Sequence, residues 1–167
     1  MHIRDERPED ASSIRAVNLA AFETDVEADL VDALRVHATP IVSLVAEDAE
    51  SVVGHILFSP VTLVESPGLS LMGLAPMAVV PARQRQGIGS RLVREGLERC
   101  RRIGAAAVVV VGHATYYPRF GFVPGSRFGI GCEYDVPDDV FLACELRDGA
   151  LRGITGTVRY HPAFANA

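Results

Sequence analysis

Lysine is missing from all 167 residues, and every one of the sixteen basic side chains is an arginine. That excludes a Walker-type phosphate loop, which needs a lysine beside its serine or threonine, and any Schiff-base chemistry. Cysteine is scarce: Cys100, Cys132 and Cys144 are odd in number and widely spaced. No CxxC or Cys/His ligand spacing occurs, so we expect no metal site, a reduced cytoplasmic setting, and thiols acting as small buried apolar groups. Long hydrophobic runs are also absent. No stretch approaches the ~20 residues of a membrane span, and the opening MHIRDERPED has no signal-peptide core, so no membrane partner is expected.

Charge is unevenly distributed. The net value is −5, yet the seven arginines between Arg83 and Arg102 face only Glu95 and Glu98, a local +5 that leaves −10 on the remainder. A general nucleic-acid binder would be basic overall, so none is expected as a partner. A compact basic patch on an acidic body suits a small polyanion.

With no internal repeat, linker or low-complexity segment, residues 1–167 read as one domain, with a core over 1–124 and C-terminal strands over 125–167. His2 to Arg4 suits a first strand. Pro8 opens a helix with Ile14, Val17, Leu19, Ala21 and Phe22 on its apolar side. Thr24 or Asp25 can cap a second helix carrying Val26, Leu30, Val31 and Leu34. Ile41–Ala46 and Ser51–Phe58 flank an acidic turn as an antiparallel hairpin, the second strand continuing toward Val64. A long strand from Leu69 to Val80 contains Pro76, which donates no hydrogen bond and predicts a bulge or splay. After Gly87 a helix places Ile88, Leu92, Val93, Leu97, Cys100 and Ile103 on one face and ends at Gly104. Ala105–Val111 has the unbroken apolar character of a central parallel strand. One or two helical turns fit Ala114 to Phe120, and short strands the tail. This alternation is that of a mixed α/β domain.

Gln84-Arg85-Gln86-Gly87-Ile88-Gly89 stands between the long strand and its helix, where bare backbone N–H groups meet a phosphate. A dinucleotide fingerprint would require a third glycine where Leu92 stands. The pattern [QR]-x-x-G-x-[GA] is met at every specified position. Downstream, Tyr116-Tyr117-Pro118-Arg119-Phe120-Gly121-Phe122 supplies an aromatic–tyrosine pair followed by a basic residue and Gly-Phe. Together the two segments resemble the GNAT N-acetyltransferase superfamily, and the tail from Gly156 to Phe164 is similar to that of a bacterial subgroup without an assigned substrate.

The resemblance implies a three-layer fold: a central mixed, twisted sheet with helices on both faces, splayed at the strands ending near Val80 and Val111. It implies acetyl-CoA as cofactor, CoA as product, and a small-molecule or protein amine as acceptor; it leaves a homodimer open. Gln84, Arg85, Gln86, Gly87, Ile88, Gly89 and Ser90 would hold the pyrophosphate. The backbone of Met77, Ala78 and Val79 would pair with the pantetheine arm and polarise the thioester carbonyl. Tyr117 would serve the departing sulfur. Many relatives carry an asparagine where Gly112-His113 stands here. No glutamate lies between Leu69 and Val80 to act as base, so His113, His55, Glu133 and water alone remain as routes for the proton. A non-catalytic acyl-CoA-binding sensor is the alternative reading.

Overall fold

Residues 1–166 are described by a computed structural model. Among the described residues, nine strands and three α-helices follow one another as β1 (His2–Asp5), α1 (Ala11–Ala21), α2 (Val26–His37), β2 (Val42–Asp48), β3 (Ser51–Leu63), β4 (Leu71–Val79), α3 (Ile88–Arg102), β5 (Ala107–Val111), β6 (Val123–Pro124), β7 (Ile130–Cys132), β8 (Phe141–Glu145) and β9 (Gly156–Arg159). The hydrogen-bonded strand order is β1-β2-β3-β4-β5-β8-β6, with β9 pairing β3 and β7. β4 and β5 are parallel and β1–β2–β3 antiparallel, giving the expected mixed sheet.

The chain forms two compact units that interleave along the sequence. The first comprises residues 1–59, 75–96 and the segment from Pro162 onward; the second comprises 60–74 and 97–161.

In the first unit, α1 and α2 close over the β1–β2–β3 meander. Their core joins Ile14, Leu30, Val31 and Leu34 to Val45 and Leu57, with Phe164 packed against it. Two readings of α1 need correction. The chain leaves Pro8 through one 3₁₀ turn before the α-helix begins at Ala11. Asn18 is also buried in place of Leu19, which is 45% exposed. The spacing Ile14, Val17, Asn18 follows one helical stripe, and Leu19 lies about 100° round from its neighbour. α3 sits close on β3: a Cβ on Gly54 would lie 3.1 Å from Ile88 and 3.2 Å from Leu92. Gly96 is likewise filled by the Phe58 ring, which an added Cβ would strike.

In the second unit the β4–β5 ladder runs only from Leu71↔Ala107 to Gly73↔Val109. Pro76, whose preceding peptide is cis, therefore falls beyond the end of that ladder, where its missing N–H removes no bond to β5. β5 pairs through all five residues with β8, and β7 runs parallel to β9. Gly125 meets the Phe141 ring so closely that a Cβ would stand 2.6 Å from it. Ile103, expected on the apolar face of α3, is 47% exposed because the helix ends at Arg102.

Candidate active site

The phosphate loop belongs to the first unit and is tied down from both ends. β4 ends at Val79; the Val80 N–H donates to Val53 O at 3.0 Å, and a 3₁₀ turn follows over Pro81–Arg83. The Gln84 side-chain amide reaches back to donate to Val79 O at 2.9 Å. Gln86 donates to Ala82 O at 3.3 Å and accepts from Arg83 Nε at 3.2 Å. Arg83 pairs in turn with Asp48 at 2.9 Å, and this contact holds the Asp48 carboxyl below its ordinary range.

Backbone handedness shapes the remainder. Arg85 and Gly87 take left-handed φ values of 63° and 84°, on either side of Gln86. Such alternation curls successive N–H groups toward one side, the arrangement of an anion-binding nest. Open space surrounds Gly87, so its glycine answers to φ and to close approach from outside, not to packing. α3 begins at once, with Arg91 N–H donating to Gly87 O at 3.1 Å. The first-turn N–H groups of α3, from Ile88 onward, form the positive end of the helix dipole. Arg85 and Arg91 are exposed and add charge. Met77 and Val79 are half-buried and Ala78 buried on β4.

Tyr117 belongs to the second unit. It opens a 3₁₀ turn, Tyr117–Phe120, rather than a longer helix. Only 8% of the residue is exposed, and its ring meets Tyr116 and Phe122 edge-on at centroid distances of 5.1 and 5.6 Å. Burial, with a smaller contribution from Tyr116, pushes the phenol up to about 12. Tyr116 itself lies half-buried beneath the Arg119 guanidinium, 4.6 Å from the ring centroid. Sequence reading missed the neighbour that matters most to Tyr117: a Cβ on Gly112 would stand 2.5 Å from Tyr117 Cε2.

The three candidate bases differ sharply. His55 is fully buried in the first unit. Its Nε2 lies 3.0 Å from Ser43 Oγ, and Nδ1 lies 3.4 Å from the Asn18 amide. Ser43 donates onward to Glu6 at 2.7 Å, and Glu6 takes two hydrogen bonds from Arg35. Burial pushes His55 down to about 4, and it has no route to a solvent-borne amine. His113 is exposed at the end of β5, in the same unit as Tyr117. Glu133 accepts from the Tyr160 N–H at 3.2 Å and lies 3.8 Å from Arg159.

A family model for the GNAT acetyltransferase domain matches residues 40–124. The Escherichia coli (strain K12) protein described as uncharacterized N-acetyltransferase YhbS is 41% identical over 165 residues, spanning 98% of both chains. A second K12 protein, uncharacterized N-acetyltransferase YjhQ, is 44% identical over 83% of this chain and 77% of its own. The crystal structure of E. coli YhbS in complex with CoA superposes with a TM-score of 0.92 at 40% identity, covering 98% of this chain and 91% of that one. A GNAT acetyltransferase from Brucella melitensis in complex with acetyl-CoA gives 0.79 at 40% identity over 98% and 97%. The chain belongs to the GNAT acetyltransferase family. It is an N-acetyltransferase.

Proposed function

We propose that this enzyme moves the acetyl group of acetyl-CoA to a primary amine by direct attack within a ternary complex. The observation that carries the reading is the loop from Gln84 to Ser90: left-handed Arg85 and Gly87 run directly into the first turn of α3. That combination offers N–H donors, dipole and arginine charge to a pyrophosphate. Two relatives at 40% identity, crystallised with CoA and acetyl-CoA, support the same ligand here.

The chemistry then divides among few groups. An alkylammonium of pKa ~10 gives one proton to water or to His113 before its nitrogen attacks the thioester carbonyl. Backbone N–H groups of Met77 to Val79 stabilise the developing oxyanion. Collapse breaks the C–S bond and releases the amide and the CoA thiolate, while the second amine proton passes to solvent or sulfur. Tyr117 donates a hydrogen bond to that sulfur. Magnitudes decide against outright proton transfer: from a phenol near 12 to a thiolate of pKa ~8.5 it would be uphill by about 5 kcal/mol.

The acceptor is a small-molecule or protein amine, and the −10 body outside the arginine segment favours a cationic one. Three free thiols support a reducing compartment, the bacterial cytoplasm.

Titration with acetyl-CoA followed by thiol release across an amine panel tests this reading. Saturable binding with acceptor-dependent release is expected. Tight binding with no release on any amine would instead make the chain an acyl-CoA sensor. Tyr117→Phe should lower kcat at saturating acceptor by roughly tenfold or more, the worth of one charge-assisted hydrogen bond; an unchanged kcat removes Tyr117 from the mechanism.

A further inference from the structure

We infer that Gly112 is a positioning residue for the Tyr117 hydroxyl, its bare α-carbon setting where the phenol stands and thereby how acidic the bound CoA thiol becomes. The inference rests on the reading of Tyr117 as hydrogen-bond donor to the CoA sulfur.

Conformation does not explain this glycine. Gly112 lies outside the left-handed φ region occupied by seven other glycines of the chain. The explanation is space. A Cβ there would stand 2.5 Å from Tyr117 Cε2, 3.0 Å from Cδ2 and 3.5 Å from Cζ, the carbon that bears the hydroxyl. One whole edge of the ring lies against the glycine.

Which partner would give way can be read from the bonds around them. The Gly112 N–H donates to Val140 O at 3.0 Å, directly after the ladder in which β5 pairs with β8 through Val111↔Phe141. The backbone at 112 is therefore held. The Tyr117 ring is held by packing, edge-on to Tyr116 and Phe122, while the Tyr117 backbone N–H donates to His113 O at 3.4 Å. An added methyl group would need the 2.5 Å approach to open to an ordinary carbon contact of about 3.5 Å, so the ring would move by roughly 1 Å. A donor displaced by that much no longer makes a well-formed hydrogen bond, and a misplacement of this size can cost on the order of 100-fold in rate. Gly112→Ala thus keeps the hydroxyl but removes it from the sulfur. Nothing in the amino-acid order links the two residues; only the fold of the turn does.

The test titrates the thiol of bound CoA by its thiolate ultraviolet absorbance in the intact protein, in Tyr117→Phe, in Gly112→Ala and in the double variant. A phenol that stabilises the thiolate lowers the thiol pKa. Each single substitution is therefore expected to raise it by about one to two pH units. The double variant should match Tyr117→Phe alone, and the dissociation constant for CoA should change little, since the phosphate loop is untouched. If Tyr117→Phe leaves the thiol pKa unmoved, the reading of Tyr117 fails and the inference falls with it. If Tyr117→Phe raises it and Gly112→Ala does not, only the inference is overturned. A further rise when Gly112→Ala is added to Tyr117→Phe also overturns it, because the glycine then acts on some other group. Should Gly112→Ala not fold, Gly112→Ala with Phe122→Leu opens room on another side of the ring. That variant is expected to fold and to keep the raised thiol pKa. A wild-type thiol pKa in it, or no folded protein from it either, reduces Gly112 to a packing requirement and overturns the positioning role.

Discussion

His55 illustrates how one buried side chain can govern the behaviour of a fold in acid without touching the chemistry. Its native pKa of about 4 lies below the ~6.5 of an unfolded chain. Between those values the unfolded state binds a proton that the native state refuses, so stability rises with pH across the window and falls as pH drops from 6.5 toward 4. The full swing is about 3 kcal/mol. Glu6 shapes only the lower end. Burial alone would raise its carboxyl, but the hydrogen bonds from Arg35 and Ser43 outweigh that and hold it below the usual range. Its contribution is therefore lost only below the ordinary carboxylate range, leaving the upper part of the window to the histidine. Urea unfolding midpoints measured from pH 7 to pH 5 should fall in the wild type and stay nearly level in His55→Gln. Parallel slopes in the two proteins would assign the effect elsewhere. The pH dependence of kcat should be the same in both, since His55 is sealed from the acceptor.

At the scale of elements, the strand–loop–helix from β4 to α3 works as one piece. Gln84 fastens the loop to the end of β4, and Gly54 lets the first turn of α3 sit close on β3. We expect Gln84→Ala to raise KM for acetyl-CoA by about fivefold with kcat nearly unchanged, the signature of lost ground-state binding. A loss confined to kcat would mean that Gln84 serves the reacting atoms instead. Further along the helix, Gly96→Ala would drive a methyl group into the Phe58 ring and should destabilise by about 1–3 kcal/mol, readable as a drop in the unfolding midpoint at constant m-value. Gly96→Ala combined with Phe58→Leu should recover part of it.

Legibility in the sequence followed the range of the interaction. α3, its loop and the β2–β3 hairpin are governed by neighbours in the chain, through apolar spacing, glycine turns and a strand-ending proline, and these agree with the structure. The burial of Asn18 in place of Leu19, the Asp48–Arg83 pair and the contact of Gly112 with Tyr117 depend on what another segment brings to the same place. No local pattern marks them. Gly112 in particular looks like an ordinary strand end until the ring that fills its missing side chain is seen.

For the molecule as a whole, absence of lysine acquires a chemical meaning once the family is known. Acetyl-CoA acylates exposed lysines without a catalyst, and an enzyme that gathers it would be a ready target. Here no side chain offers an amine. Prolonged incubation with acetyl-CoA at mildly alkaline pH should leave intact-mass spectra without a ladder of side-chain acetyl adducts; the appearance of several adducts would contradict this.

The interleaving of the two units bears on how the protein is made. Synthesis proceeds from the N-terminus at roughly 5–20 residues per second. α1, α2, β2 and most of β3 leave the ribosome early, yet Phe164, which packs against their shared core, leaves among the last. For several seconds the α1–α2 core, already seated on Val45 and Leu57, lacks Phe164 at its margin. The first unit to emerge is thus the last whose residues are all synthesised.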